Sequence, residues 1–147
     1  MSRALAREDA FKLIFEMKIS DISACDAIEY LYKTAQKSNE MWAQDFVSAT
    51  SRKYIENVVH GVEEKEEELN QIIECKLKDW TLQRISKVNL ALLQLAIYEI
   101  KFIEDIPYKV SASEATLLAK KYGGNESGAF INGVLGAVIN DLEVEGN

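Results

Sequence analysis

Residues 80–103 read WTLQRISKVNLALLQLAIYEIKFI. Between Val88 and Ile100 only Asn89, Gln94 and Glu99 are polar, and no Lys or Arg lies between Lys87 and Lys101. A helix that is apolar nearly all round must be surrounded by protein or by lipid. A membrane span needs ~20 residues with few polar groups, and this run is shorter and interrupted. The stretch therefore predicts the central helix of a helical protein, with the other helices packed around it. Its three polar side chains then need partners, in the chain or outside it.

The rest of the composition agrees. The 147 residues include one proline, Pro107, and are 48% hydrophobic and 28% charged. Long proline-free runs rich in Ala, Leu, Glu and Lys favour helix, and no alternating strand pattern is present. The expected class is all-α: a single domain of about seven helices over residues 1–147. A net charge of −7 argues against general nucleic-acid affinity while leaving room for a local basic patch. The opening MSRALARED has no apolar leader core. With only Cys25 and Cys75 available, a reduced, cytoplasmic protein is expected.

Outward from the central run, the first helix is expected from Ser2, an N-cap residue, to about Met17. Its stripe is Ala6, Ala10, Leu13 and Met17. Arg3 and Arg7 share a flank with Phe11 and Phe15 that the core need not cover completely. Residues 1–20 sum to +1 in a chain of −7. A plain solvated flank is the competing reading. A second helix is expected over Ala24–Gln36, capped by Ser23 or Asp21, then a loop at 37–40 pinned by Met41 and Trp42. The third runs from about Gln44 to His60, with Phe46, Val47, Tyr54, Ile55, Val58 and Val59 at helical spacing and Gly61 as its C-cap or a break.

EEKEEE at 63–68 opens a fourth helix, where acids suit the positive end of the dipole. Pro107 turns the chain into a helix over Lys109–Tyr122, whose apolar face is Val110, Ala115, Leu118 and Ala119. Gly123-Gly124 stops it. A last helix carries Phe130, Ile131, Val134, Leu135 and Val138. Gly128, Ala129, Gly133 and Gly136 would give it a narrow surface for close helix approach.

No enzymatic constellation is present: no P-loop, no C-x-x-C pair and no H-E-x-x-H. With His60 as the single histidine, neither a metal site nor His-based catalysis is expected. The sequence predicts a non-enzyme without cofactor.

Three stretches in order carry a family likeness. They are Trp80-x3-Arg84-Ile85 with Val88–Ile100; Ile106-Pro107-Tyr108-Lys109-Val110 with Glu114-Ala115 and Leu118-Ala119-Lys120-Lys121-Tyr122; and Ser127-x2-Phe130-Ile131-Asn132-Gly133-Val134-Leu135. With Arg7-Glu8-x-Ala10 and Lys12-Leu13-Ile14-Phe15, the chain resembles the NusB family of bacterial transcription antitermination factors over nearly its whole length. The resemblance implies an all-helical fold of two packed helical subdomains, and binding to single-stranded boxA RNA of rRNA leader transcripts together with a small-subunit ribosomal protein acting as NusE. It also implies joining RNA polymerase through other Nus factors, without catalysis and without a membrane. Homodimerisation that hides the RNA face is a further arrangement the resemblance suggests.

By position, the resemblance assigns RNA contact to Arg3, Arg7, Lys12, Lys120, Lys121 and Phe130, and partner contact to Phe15, Gln83, Arg84 and Asn89. Core packing is the competing reading for Phe130. Asn132 and Gly133 read as structural, a polar helix contact and a close-approach point. The chain departs from the family in its sparse SRALAR start, and in Asn89, Leu90 and Gln94 where charged residues are frequent. RNA binding that leans more on the partner is implied, and docking that is less salt-sensitive. Two other readings are a recognition module of an rRNA-modifying assembly and a self-associating scaffold.

Overall fold

The computed structural model describes residues 2–37, 49–77 and 81–145. Seven α-helices and one 3-10 turn account for nearly all of them, with no strand among the described residues. No described helix is long and apolar enough to cross a membrane. The chain divides into two compact units, Met1–Glu64 and Lys65–Asn147.

The first unit holds α1 (Arg3–Ser20), α2 (Ala24–Lys37) and α3 (Ala49–Glu64), each packed on the other two. The Ser2 Oγ accepts the Leu5 N–H at 3.2 Å, the expected N-cap. Asp21 ends α1 in the left-handed region at φ 53°, which Asp tolerates better than most residues. Two caps start α2: Ser23 Oγ accepts from the Asp26 N–H at 3.2 Å, and Glu63 Oε2 accepts from the Ala24 N–H at 2.7 Å. The core joins Ala6, Ala10, Phe11 and Ile14 to Ala27, Ile28, Ile55, Val58 and Val59.

Two expectations are corrected here. Gly61 neither caps nor breaks α3; it is buried inside a helix that continues to Glu64. A helical glycine costs about 1 kcal/mol relative to alanine, less than the burial of Val58, Val59 and Val62 around it provides. Glu63 consequently belongs to α3 and caps α2, rather than opening the fourth helix. The expected start at Gln44, the loop at 38–40, and Met41, Trp42, Phe46, Val47 and Trp80 lie outside the described residues.

The second unit holds α4 (Glu66–Lys76), a 3-10 turn (Leu82–Arg84), α5 (Lys87–Phe102), α6 (Tyr108–Gly123) and α7 (Asn125–Glu145). As expected, α5 is central, packing on α4, α6 and α7, and every residue from Ala91 to Ile100 is buried. It spans the whole apolar run but not the whole of the 80–103 stretch. Ser86 Oγ accepts the Asn89 N–H at 3.1 Å, so a fresh N-cap starts the helix after the 3-10 turn. Its three polar exceptions each reach a different helix. Asn89 Oδ1 accepts from Ser127 Oγ of α7. Gln94 Nε2 donates to Asn70 Oδ1 of α4 at 2.7 Å. Glu99 Oε1 accepts from Ser111 Oγ of α6 at 3.0 Å.

That last bond explains a correction on α6. Val110 is 43% exposed, and the buried face is Ser111, Ala115, Leu118 and Ala119. Turning Ser111 inward to Glu99 rotates its neighbour Val110 out. At the other end of α6, Gly124 adopts φ 92°, where only glycine is unstrained. The narrow surface expected on α7 is confined to Gly128, where an added Cβ would lie 2.6 Å from Lys120 Cγ. Gly133 and Gly136 face open space, with nothing within 4 Å, so Gly133 is not a close-approach point.

Candidate nucleic-acid interface

In the first unit, Arg3 and Arg7 converge on one ring. The Arg3 guanidinium carbon stands 4.6 Å from the centroid of Tyr54 and that of Arg7 stands 5.9 Å from it, both within cation–π range. They differ in access: Arg3 is exposed, whereas Arg7 keeps only 3% of its surface open. The core covers this flank only in part, as expected. Tyr54 of α3 lies against it, and Phe11 is buried as well. Phe15 is half-buried, its ring stacked on Phe11 at 6.1 Å between centroids. Lys12 is exposed.

Lys12 also bears on an acid the sequence did not single out. Asp9 is 7% exposed and its Oδ2 has no hydrogen-bond partner among the described residues. Burial pushes its carboxyl up to about 6, with Lys12 opposing the shift and Glu8 adding to it. The folded state thus holds the proton more tightly than the unfolded chain does. Stability contributed by this group is complete below the ordinary Asp value near 3.8 and is lost as pH rises towards 6. Asp9→Asn should therefore stabilise the protein by about 1–3 kcal/mol at pH 7.5, with the gain vanishing below about pH 4. Urea melts of both proteins across that range measure it. A gain that does not change with pH would remove the charged carboxylate as its cause.

In the second unit, the N-terminus of α5 and the facing ends of α6 and α7 enclose a groove of about 610 Å³. Its apolar surface comes from Ile85, Val88, Tyr122 and Phe130, and its polar rim from Arg84, Asn89, Glu126 and Ser127. Phe130 is half-buried, so part of its ring remains available. Tyr122 is 38% exposed, and Lys121 Nζ stands 5.3 Å from its ring centroid. Aromatic faces beside cations suit unpaired bases and their phosphates.

The groove regroups the candidate residues. Phe130 stands with Arg84 and Asn89, which the resemblance gave to the protein partner. Gln83 is exposed on the 3-10 turn but does not line the groove. Lys120 does not line it either; its stem crosses Gly128 and it borders a different groove. Neighbouring residues on a helix differ by ~100° in direction, which sends Lys120 and Lys121 apart. Tyr54 and Tyr122 were missed as site residues: helical spacing reads Tyr54 as a packing residue, and Tyr122 stands only as the end of a family-like stretch.

A model of the NusB family matches residues 4–140. The chain belongs to the NusB family. Among its relatives is the transcription antitermination protein NusB of Clostridium botulinum strain Hall, 40% identical over 144 residues, covering 95% of this chain and 100% of the relative. That of Clostridium acetobutylicum is 44% identical over 143 residues, covering 97% and 98%. Among solved structures, NusB of T. maritima aligns with a TM-score of 0.76 at 26% identity, covering 94% of this chain and 90% of that one. A chain in a structure of antitermination factors NusB and NusE in complex with dsRNA aligns with a TM-score of 0.79 at 22% identity, covering 95% and 96%. At that identity the likeness is one of fold. Membership makes this protein a non-catalytic RNA-binding factor of transcription antitermination.

Proposed function

We propose that this NusB-family factor acts in the cytoplasm and recognises the boxA element of rRNA leader transcripts. It does so together with the small-subunit ribosomal protein that serves as NusE. The complex then joins RNA polymerase through other Nus factors and carries it past terminators. The observation that carries this reading is the near-full-length identity of 40–44% with transcription antitermination proteins NusB. The geometry supports it from both units. Arg3 over Tyr54 offers an exposed guanidinium, and the Phe130–Tyr122 groove offers ring faces flanked by Arg84 and Lys121. In a chain of −7 the cations at these sites are few, and Arg84 shares its groove with Glu126, so RNA binding should weaken with salt only according to the few phosphates neutralised.

Fluorescence anisotropy with a boxA RNA, with and without the ribosomal protein, tests the proposal. The pair should bind more tightly than either protein alone, and Arg3→Ala/Arg7→Ala should lose much of that binding. Because Arg7 is buried, Arg3→Ala alone is the cleaner variant and should lower the melting temperature by at most a few degrees, as only its contact with the Tyr54 ring is lost. No gain from the ribosomal protein would overturn the partnership.

A further inference from the structure

A second groove, of about 500 Å³, runs between α6 and α7 and shares no lining residue with the Phe130 groove. Lys109 and Lys120 stand on its α6 side, eleven residues or three helical turns apart, ~16 Å along the axis. Both are exposed, and neither has an ion-pair partner among the described residues. Between them Leu117 is 56% exposed. Across the groove, Ile139 is half-buried, and Gly136 leaves open floor where a Cβ would meet nothing within 4 Å. Glu143 is the single carboxylate among the lining residues.

Three features define the occupant. The lining holds no aromatic ring, so it lacks the stacking surface that single-stranded RNA uses. Exposed Leu117 and the bare Gly136 floor suit an apolar helix face that can approach closely. Two cations against one acid, in a chain of −7, select the opposite charge. We infer that the α6–α7 groove docks an acidic amphipathic helix of a partner protein. Its carboxylates are spaced three turns apart to meet Lys109 and Lys120, and its apolar stripe lies on Leu117 and Ile139.

The test uses the full chain and a fluorescein-labelled helical peptide of roughly 18 residues. The peptide carries an Ala/Leu stripe and two Glu eleven positions apart; a second peptide carries Lys at those two positions. The acidic peptide should bind the wild type and bind Lys109→Glu/Lys120→Glu about tenfold more weakly, as two lost and reversed surface pairs imply. The Lys peptide should instead prefer that variant. Gly136→Leu should block the acidic peptide while melting no lower than wild type, since its side chain enters open space on a helix. Absence of acidic-peptide binding, or binding indifferent to Gly136→Leu, overturns the inference. So does a short oligouridine that loses affinity for the double variant while the peptide does not, which would make the groove an RNA surface. A dimer mass by light scattering that Gly136→Leu abolishes would assign the groove to a second copy of this chain.

Discussion

Ile97→Ala is expected to destabilise the second unit by about 2–5 kcal/mol. Ile97 is fully buried at the middle of the α5 stretch in which every residue from Ala91 to Ile100 is covered. Removing its branched side chain costs the transfer free energy of the lost carbons, and neighbours held by helices on several sides collapse poorly into the gap. Against a total stability of about 5–15 kcal/mol for an ordinary domain, that loss is large. Urea unfolding followed by circular dichroism measures it, with Ile97→Val as the graded control at about 0.5–1.5 kcal/mol. A loss under about 1 kcal/mol for the alanine variant would show that the centre of α5 repacks freely, against the close packing inferred for it.

Phe130→Ala is expected to weaken binding to single-stranded RNA by about 1–3 kcal/mol, or roughly 5- to 150-fold. The reason lies in its position. The ring is half-buried, lines the groove beside Tyr122, and has Arg84 on the rim to meet phosphate. Stacking is tolerant of which base is present, so Phe130→Tyr should keep most of the affinity. The competing role is packing, since Ile131, Val134 and Leu135 of the same helix are buried. Anisotropy and thermal melting together separate the two. Unchanged RNA affinity with a markedly lower melting temperature would assign Phe130 to the core.

Parts of the interface were legible and parts were not. The apolar run at 88–100 announced a surrounded helix, and its three polar residues announced partners. Those partners, Ser127, Asn70 and Ser111, lie 12 to 38 residues away, and no local pattern names them. Arg3 and Arg7 sit one helical turn apart and read alike. Tyr54, fifty residues on, lies against both, yet one stays exposed and the other is covered. Lys120 and Lys121 read as one basic pair, yet Lys120 borders the α6–α7 groove while Lys121 stands over the Tyr122 ring. Nothing in the local pattern singles out Asp9, yet it is buried.

The amino-acid sequence by itself determined the helical class, the central position of α5, the Ser2 cap, the turn at Pro107 and, through its motifs, the family. Each of these depends on local periodicity, on backbone chemistry within a few residues, or on ordered identities along the chain. Only the tertiary structure decided which arginine is accessible, that Ser111 rather than Val110 faces inward, that Gly128 and not Gly133 or Gly136 has a close neighbour, and that Phe130 shares a groove with Arg84 and Asn89. Those outcomes depend on what a distant helix places opposite each side chain. Burial and hydrogen-bond partners are properties of pairs of elements, so a single helix's pattern leaves them open.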